Sequence, residues 1–125
     1  MSEAKEKITD AELEIMQVLW KAQKPMTLTQ IKAALPGRNG DTAKTLLRRL
    51  CQKEAVGQEK QEVYYYRPLV GQEELSCYRV SKLIDKLYEG SAKALTAALV
   101  RNEKLQRQDI EELREMFEGM WEEEN

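Results

Sequence analysis

The stretch Asp41-Thr-Ala-Lys-Thr-Leu-Leu-Arg-Arg-Leu50, followed by a polar turn and then by Val63-Tyr-Tyr-Tyr-Arg-Pro-Leu69, restricts the fold more than any other part of the chain. At about 100° per residue, Ala43, Leu46, Leu47 and Leu50 fall on one side of a helix, Thr45, Arg48 and Gln52 point the opposite way, and Lys44 and Arg49 sit on the shoulders. Beyond Lys53 the helical period gives way to alternation. Val56 leads into a short strand, Lys60-Gln61-Glu62 forms a charged tip, and Val63 to Arg67 returns until Pro68 closes the ladder. A basic, hydroxyl-bearing helix placed directly before a two-stranded ribbon is the order of a winged helix-turn-helix. Arg and Lys suit guanine O6 and N7, Thr and Gln suit several base edges, and all of them can hold a phosphate oxygen. The candidate contacts to double-stranded DNA are therefore Arg38, Asn39, Thr42, Lys44, Thr45, Arg48, Arg49 and Gln52, with Lys60 at the wing tip.

The residues upstream supply the other helices that such a unit needs. Thr9 and Glu12 have capping-box spacing, and Leu13, Ile15, Met16, Leu19 and Trp20 then follow a helical stripe. Lys24-Pro25 ends that helix, because proline cannot extend the hydrogen-bond ladder and pushes its predecessor out of the helical region. Thr27 and Gln30 repeat the capping-box spacing and open a short helix with Leu28, Ile31 and Leu35 as its inner face. Pro36-Gly37 stops it, Arg38-Asn39-Gly40 forms a turn, and Asn39 or Asp41 can cap the basic helix. Alternation sends Tyr64 and Tyr66 to one face of the ribbon and Tyr65 to the other, so two tyrosines are expected on the core and one outside.

Charge is divided along the chain. The net value is -2, yet residues 1 to 70 hold 12 Lys/Arg against 9 Asp/Glu, whereas residues 71 to 125 hold 8 against 13. At physiological salt charges are screened beyond about 8 Å, so a local basic patch can bind DNA while an acidic segment is held away. There is no histidine, which removes the commonest general base and the commonest zinc ligand, and the carboxylates are spread along helical faces. The expectation is no enzyme, no metal and no cofactor. Cys51 and Cys77 lack CxxC spacing and read as reduced, partly buried fillers, no stretch is apolar enough to span a membrane, and a cytoplasmic protein is expected.

From Gln72 onward the pattern is helical. One helix to about Glu89 carries Val80, Leu83, Ile84, Leu87 and Tyr88 on its apolar side, and Gly90-Ser91 breaks it. A shorter helix carries Ala92, Leu95, Ala98 and Leu99, and a third from about Arg107 carries Ile110, Leu113, Met116, Phe117, Met120 and Trp121. That last stripe has little partner surface within one chain, so the same helices of a second copy are expected to cover it. The fold class is thus mainly α with a small β-wing: a winged helix-turn-helix over 1–70, then a helical dimerisation region over 71–125. The interface residues are Val80, Leu83, Leu87, Leu95, Leu99, Ile110, Leu113, Phe117, Met120 and Trp121. A winged helix serving only as a protein-interaction module has the same element order, and salt-dependent duplex binding separates the two.

Three segments together, Ile8-Thr-Asp-Ala-Glu-Leu-Glu-Ile-Met-Gln-Val-Leu-Trp20, Thr42-Ala-Lys-Thr-Leu-Leu-Arg-Arg-Leu50 and Tyr64-Tyr-Tyr-Arg-Pro-Leu-Val70, resemble the penicillinase repressor family, the BlaI and MecI group that also takes in CopY-type copper-responsive repressors. The resemblance runs from Ile8 to about Phe117. It implies a homodimeric winged-helix transcriptional repressor on an operator of dyad symmetry, with the C-terminal helices as the dimerisation unit. Copper-responsive members carry a C-terminal cluster of CxC pairs, and no cysteine follows Cys77 here, so the resemblance does not extend to thiolate metal sensing. The penicillinase and methicillin-resistance repressors are inactivated by cleavage of an Asn-Phe bond, in a pathway that starts at a membrane-bound sensor metalloprotease. The matching positions here are Ala98 and Leu99, a small residue before a large apolar one.

Overall fold

In the computed structural model the described residues are 8–35 and 40–124. Helix α1 spans Asp10–Ala22, and both halves of its capping box are made: Thr9 Oγ1 accepts from the Glu12 N–H at 3.1 Å, and Glu12 Oε1 accepts from the Thr9 N–H at 3.0 Å. Gln23 ends it in the left-handed region at φ 57°, one residue ahead of Lys24-Pro25. Thr27 and Gln30 make the same reciprocal pair for α2, Leu28–Ala33. Helix α3 spans Gly40–Gln52. Asp41 therefore lies inside its first turn and not at the capping position, while Arg38 and Asn39 fall outside the described residues.

The wing holds three strands, not two. Strands β2, Val56–Lys60, and β3, Tyr64–Pro68, pair antiparallel from Val56 opposite Pro68 to Lys60 opposite Tyr64. The third strand is β1, Met26–Thr27, which pairs with β3 through Met26–Tyr66 and Thr27–Tyr65 and gives the order β1-β3-β2. Two residues are too short for alternation to mark, so a strand of this length leaves no period in the sequence. Its effect is mechanical: β3 is held on both edges and anchored to the loop between α1 and α2. The tyrosine expectation is corrected here as well. Only Tyr66 packs against the core, because Tyr64 lies opposite Lys60 at the outer end of the hairpin, with its ring 5.9 Å from the lysine nitrogen.

The core gathers Ile15, Met16 and Leu19 of α1, Ile31 and Leu35 from α2 and its end, Leu46, Leu47 and Leu50 of α3, and Val56, Val70 and Leu75. Among the described residues one polar side chain is buried with them. Glu12 is 1% exposed, and its Oε1 also accepts from Lys53 Nζ at 2.5 Å, which ties the start of α1 to the residue immediately after α3. Trp20 Nε1 donates to the Val70 carbonyl at 2.9 Å, so the indole buries its ring without leaving its N–H unpaired.

Helix α4 spans Gln72–Tyr88, and the chain divides into two compact units within it, after Arg79. The division lies beyond the expected boundary at residue 70, since Leu75 is buried in the first unit's core and Arg79 donates to the Ile8 carbonyl at 2.6 Å and to Asp10 Oδ1 at 3.0 Å. In the second unit Gly90, at φ 85°, breaks the helical path, and Ser91 caps α5, Ala92–Arg101, by accepting from the Ala94 N–H at 3.0 Å. Helix α6 follows over Arg107–Glu124.

Candidate nucleic-acid interface

Helix α3 is held by one face. Ala43, Leu46, Leu47 and Leu50 are all buried, which turns Lys44, Arg48, Arg49 and Gln52 to solvent, with Thr42 and Thr45 half-buried at the margins. Arg48 and Gln52 are exposed as helical periodicity predicts, whereas Thr45, expected opposite the apolar stripe, is half-buried. Fixing a helix through its apolar stripe leaves the opposite side free to enter a groove without rearranging the core. Arg49 is exposed and makes no ion pair with Glu54 or Glu59 among the described residues.

Between this helix and the wing lies a concavity of about 710 Å³ lined by Lys44, Thr45, Arg48, Cys51, Gln52, Gln58 and Tyr66. Two elements build it. Lys44, Arg48 and Cys51 recur at helical spacing on the α3 side, and Gln58 and Tyr66 are directly opposite one another in the β2–β3 ladder. Among the described residues of the lining both charged ones are cationic and none is a carboxylate. Burial pushes the Cys51 thiol above its usual range, and burial, reinforced by Cys51 and Tyr64, raises the Tyr66 phenol. Both groups therefore stay neutral at physiological pH, and the charge contributed by the described lining residues is positive. Lys44, Thr45, Arg48, Gln52, Gln58 and Tyr66 make no side-chain hydrogen bond or ion pair among the described residues, so their polar atoms are available to a ligand. Such a surface suits phosphate and base edges.

The sequence reading brought Lys44, Thr45, Arg48 and Gln52 to this site and missed Cys51, Gln58 and Tyr66. Helical spacing could have found Cys51, but Gln58 and Tyr66 depend on the register of the hairpin. Cys51 follows Arg48 by three positions, whereas Gln58 faces Tyr66 only in a hairpin centred on Glu62, one residue beyond the middle of the expected Lys60-Gln61-Glu62 tip. Lys60 stands at the end of β2, stacked on Tyr64 beyond the concavity.

The second unit exposes apolar side chains at Val80, Leu83 and Leu87 of α4, at Leu99 of α5, and at Ile110, Phe117, Met120 and Trp121 of α6, with Leu95 and Leu113 half-buried. Trp121 is 69% and Phe117 61% exposed, an arrangement unusual for aromatic side chains on an amphipathic helix. Ala98 is buried within α5, and its carbonyl accepts from the Asn102 N–H at 3.0 Å and from Asn102 Nδ2 at 2.8 Å. No helix among the described residues is long and apolar enough to cross a membrane, and no cluster of potential metal ligands occurs among them.

A penicillinase repressor from Staphylococcus aureus is 28% identical over 121 residues, spanning 94% of this chain and 95% of its own. The methicillin resistance regulatory protein MecI of Mammaliicoccus sciuri is 30% identical over 114 residues, spanning 88% and 92%. Among solved structures, the monomeric form of Bacillus licheniformis BlaI in complex with the blaP half-operator is 29% identical, with 54% of this chain and 87% of that one covered and a TM-score of 0.47. The model of the penicillinase repressor family matches residues 8–119, so the chain belongs to the penicillinase repressor family.

Proposed function

We propose that this chain is a homodimeric transcriptional repressor that binds a dyad-symmetric operator in duplex DNA and acts in the cytoplasm. The observation that carries the reading is the cationic concavity between α3 and the wing, whose polar side chains make no hydrogen bond or ion pair among the described residues. Thr42, Lys44, Thr45, Arg48, Arg49 and Gln52 face the bases and flanking phosphates, Arg38 and Asn39 add further contacts to DNA, and Lys60 reaches the backbone from the wing. The winged helix with its apolar core is the reading unit, and the remaining helices join two copies. Val80, Leu83, Leu87, Leu95, Leu99, Ile110, Leu113, Phe117, Met120 and Trp121 form the joint. Covering Phe117 and Trp121 alone removes a large apolar area from water, which favours association. The curated relatives, named as penicillinase repressors and methicillin-resistance regulators, support the same assignment.

Release from DNA proceeds by cutting between Ala98 and Leu99, through a membrane-bound sensor metalloprotease. That bond lies inside α5, where the Ala98 carbonyl is doubly hydrogen-bonded, so cleavage requires α5 to open locally. The cut separates α6 from the rest and removes most of the joint, and repression fails with every DNA-contacting residue intact. The experiment is selection of a duplex from a random library, followed by titration at several salt concentrations. A dyad-symmetric sequence bound with a steep salt dependence is the expected result. Absence of salt-dependent duplex binding refutes the repressor and leaves a winged helix used for protein interaction.

A further inference from the structure

The helix residues account for one wall of the concavity, and its floor calls for a separate explanation. A helix with its side chains is about 10–12 Å across, and the major groove of B-DNA is about 12 Å wide. A helix seated there fills the groove, so the sugar-phosphate strands run along its flanks. The flank of α3 that faces the hairpin is the concavity, with Cys51, Gln58 and Tyr66 set between helix and wing. Tyr66 packs its ring against the core, while its hydroxyl has no hydrogen-bond partner among the described residues. Among the described residues no buried side-chain nitrogen or oxygen lacks a partner, so that hydroxyl reaches solvent. The exposed Gln58 amide, opposite Tyr66 in the ladder, is likewise unpaired.

We infer that the Tyr66 hydroxyl and the Gln58 side-chain amide hold a phosphate of the DNA strand that passes between α3 and the wing, as neutral hydrogen-bond donors. The inference rests on the DNA-binding reading above and adds to it two contacts and the chemical group they take. A donor anchored through a core-packed ring is set in place before DNA arrives, unlike a lysine on a mobile stem. Burial keeps the phenol protonated, and so a donor, across physiological pH. Because neither group is charged, neither displaces a counterion. Their contribution is therefore independent of sequence and nearly independent of salt, which separates it from the cationic contacts of Arg48 and Lys60.

The test uses the full chain and a half-operator duplex, on which one DNA-binding unit engages. Tyr66→Phe deletes the hydroxyl and keeps the ring on the core, so the melting temperature stays that of the parent. Binding should weaken by about tenfold on cognate and unrelated duplexes alike, with the slope of log affinity against log salt unchanged. Gln58→Ala should show the same pattern. Neutral methylphosphonate is then placed at each phosphate flanking the half-site in turn. At one position its cost to the parent should be larger than its cost to Tyr66→Phe, marking the phosphate that the hydroxyl holds. Parental affinity for Tyr66→Phe, a loss confined to one base pair, or equal costs at every phosphate overturns the inference while the parent still binds its operator. A parent that binds no duplex overturns the DNA-binding reading along with it.

Discussion

Replacing Lys53 by Met removes the charge partner of a carboxylate that cannot reach water. Glu12 is 1% exposed, and its Oε1 accepts from the Thr9 N–H and from Lys53 Nζ, whose side chain is 23% exposed. With the ammonium gone, the carboxylate keeps the capping bond from Thr9 but has lost its countercharge. Breaking a buried pair from one side costs about 3–5 kcal/mol, and the partial exposure of Lys53 argues for the lower end, about 3 kcal/mol. For a unit of this size that corresponds to about 12 to 24 °C in melting temperature. Glu12→Gln removes the charge from the inside instead. Its amide oxygen still accepts from Thr9, and Lys53 turns to solvent, so about 1 kcal/mol is lost. The assay is urea unfolding followed by Trp20 fluorescence in a Trp121→Phe background, where the indole bonded to Val70 reports the first unit alone. A Lys53→Met variant within about 0.5 kcal/mol of the parent, or a Glu12→Gln variant that is the worse of the two, refutes the assignment of Glu12 as a buried, charge-compensated cap.

Arg48→Ala should weaken operator binding by about 1–3 kcal/mol and relax the preference at one base pair, measured by competition among operators substituted at single positions. Lys60→Ala should lower affinity for every sequence and reduce the salt slope by about one, so a parental slope would remove the wing tip from the interface. Cys51, whose thiol is raised by burial, should react with iodoacetamide at pH 8 at least about tenfold more slowly than the exposed Cys77, and operator DNA should slow it further, read by peptide mass mapping. Equal rates, or no protection by DNA, would place Cys51 outside the bound groove.

The parts of this fold that are local were legible in the sequence, and those that depend on long-range pairing were not. Thr9/Glu12 and Thr27/Gln30 announce their helices because a capping box is closed within four residues. Ala43, Leu46, Leu47 and Leu50 define the buried side of α3 by period alone, which is why the exposed basic residues could be named. The burial of Glu12 was hidden, since a capping glutamate is ordinarily solvated and its partner Lys53 lies 41 positions away. Strand β1 was hidden by its two-residue length and by a partner far along the chain. Tyr66 and Gln58 belong to the candidate site only once the hairpin register is known, because a shift of one residue would turn both to the other face.

The central claim, a repressor whose two DNA-binding units are joined by the C-terminal helices, is tested most directly by comparing the intact chain with one ending at Leu99. The core residues and caps of the first unit all precede Arg79, so the shortened chain retains its winged helix. Sedimentation should show the intact chain as a dimer and the shortened one as a monomer. Titration should show equal affinity for the half-operator, with the shortened chain weaker on the full operator by about 10² to 10⁴-fold, since the second half-site is no longer engaged intramolecularly. A shortened chain that stays dimeric, or that binds the full operator as tightly as the intact protein, contradicts the account.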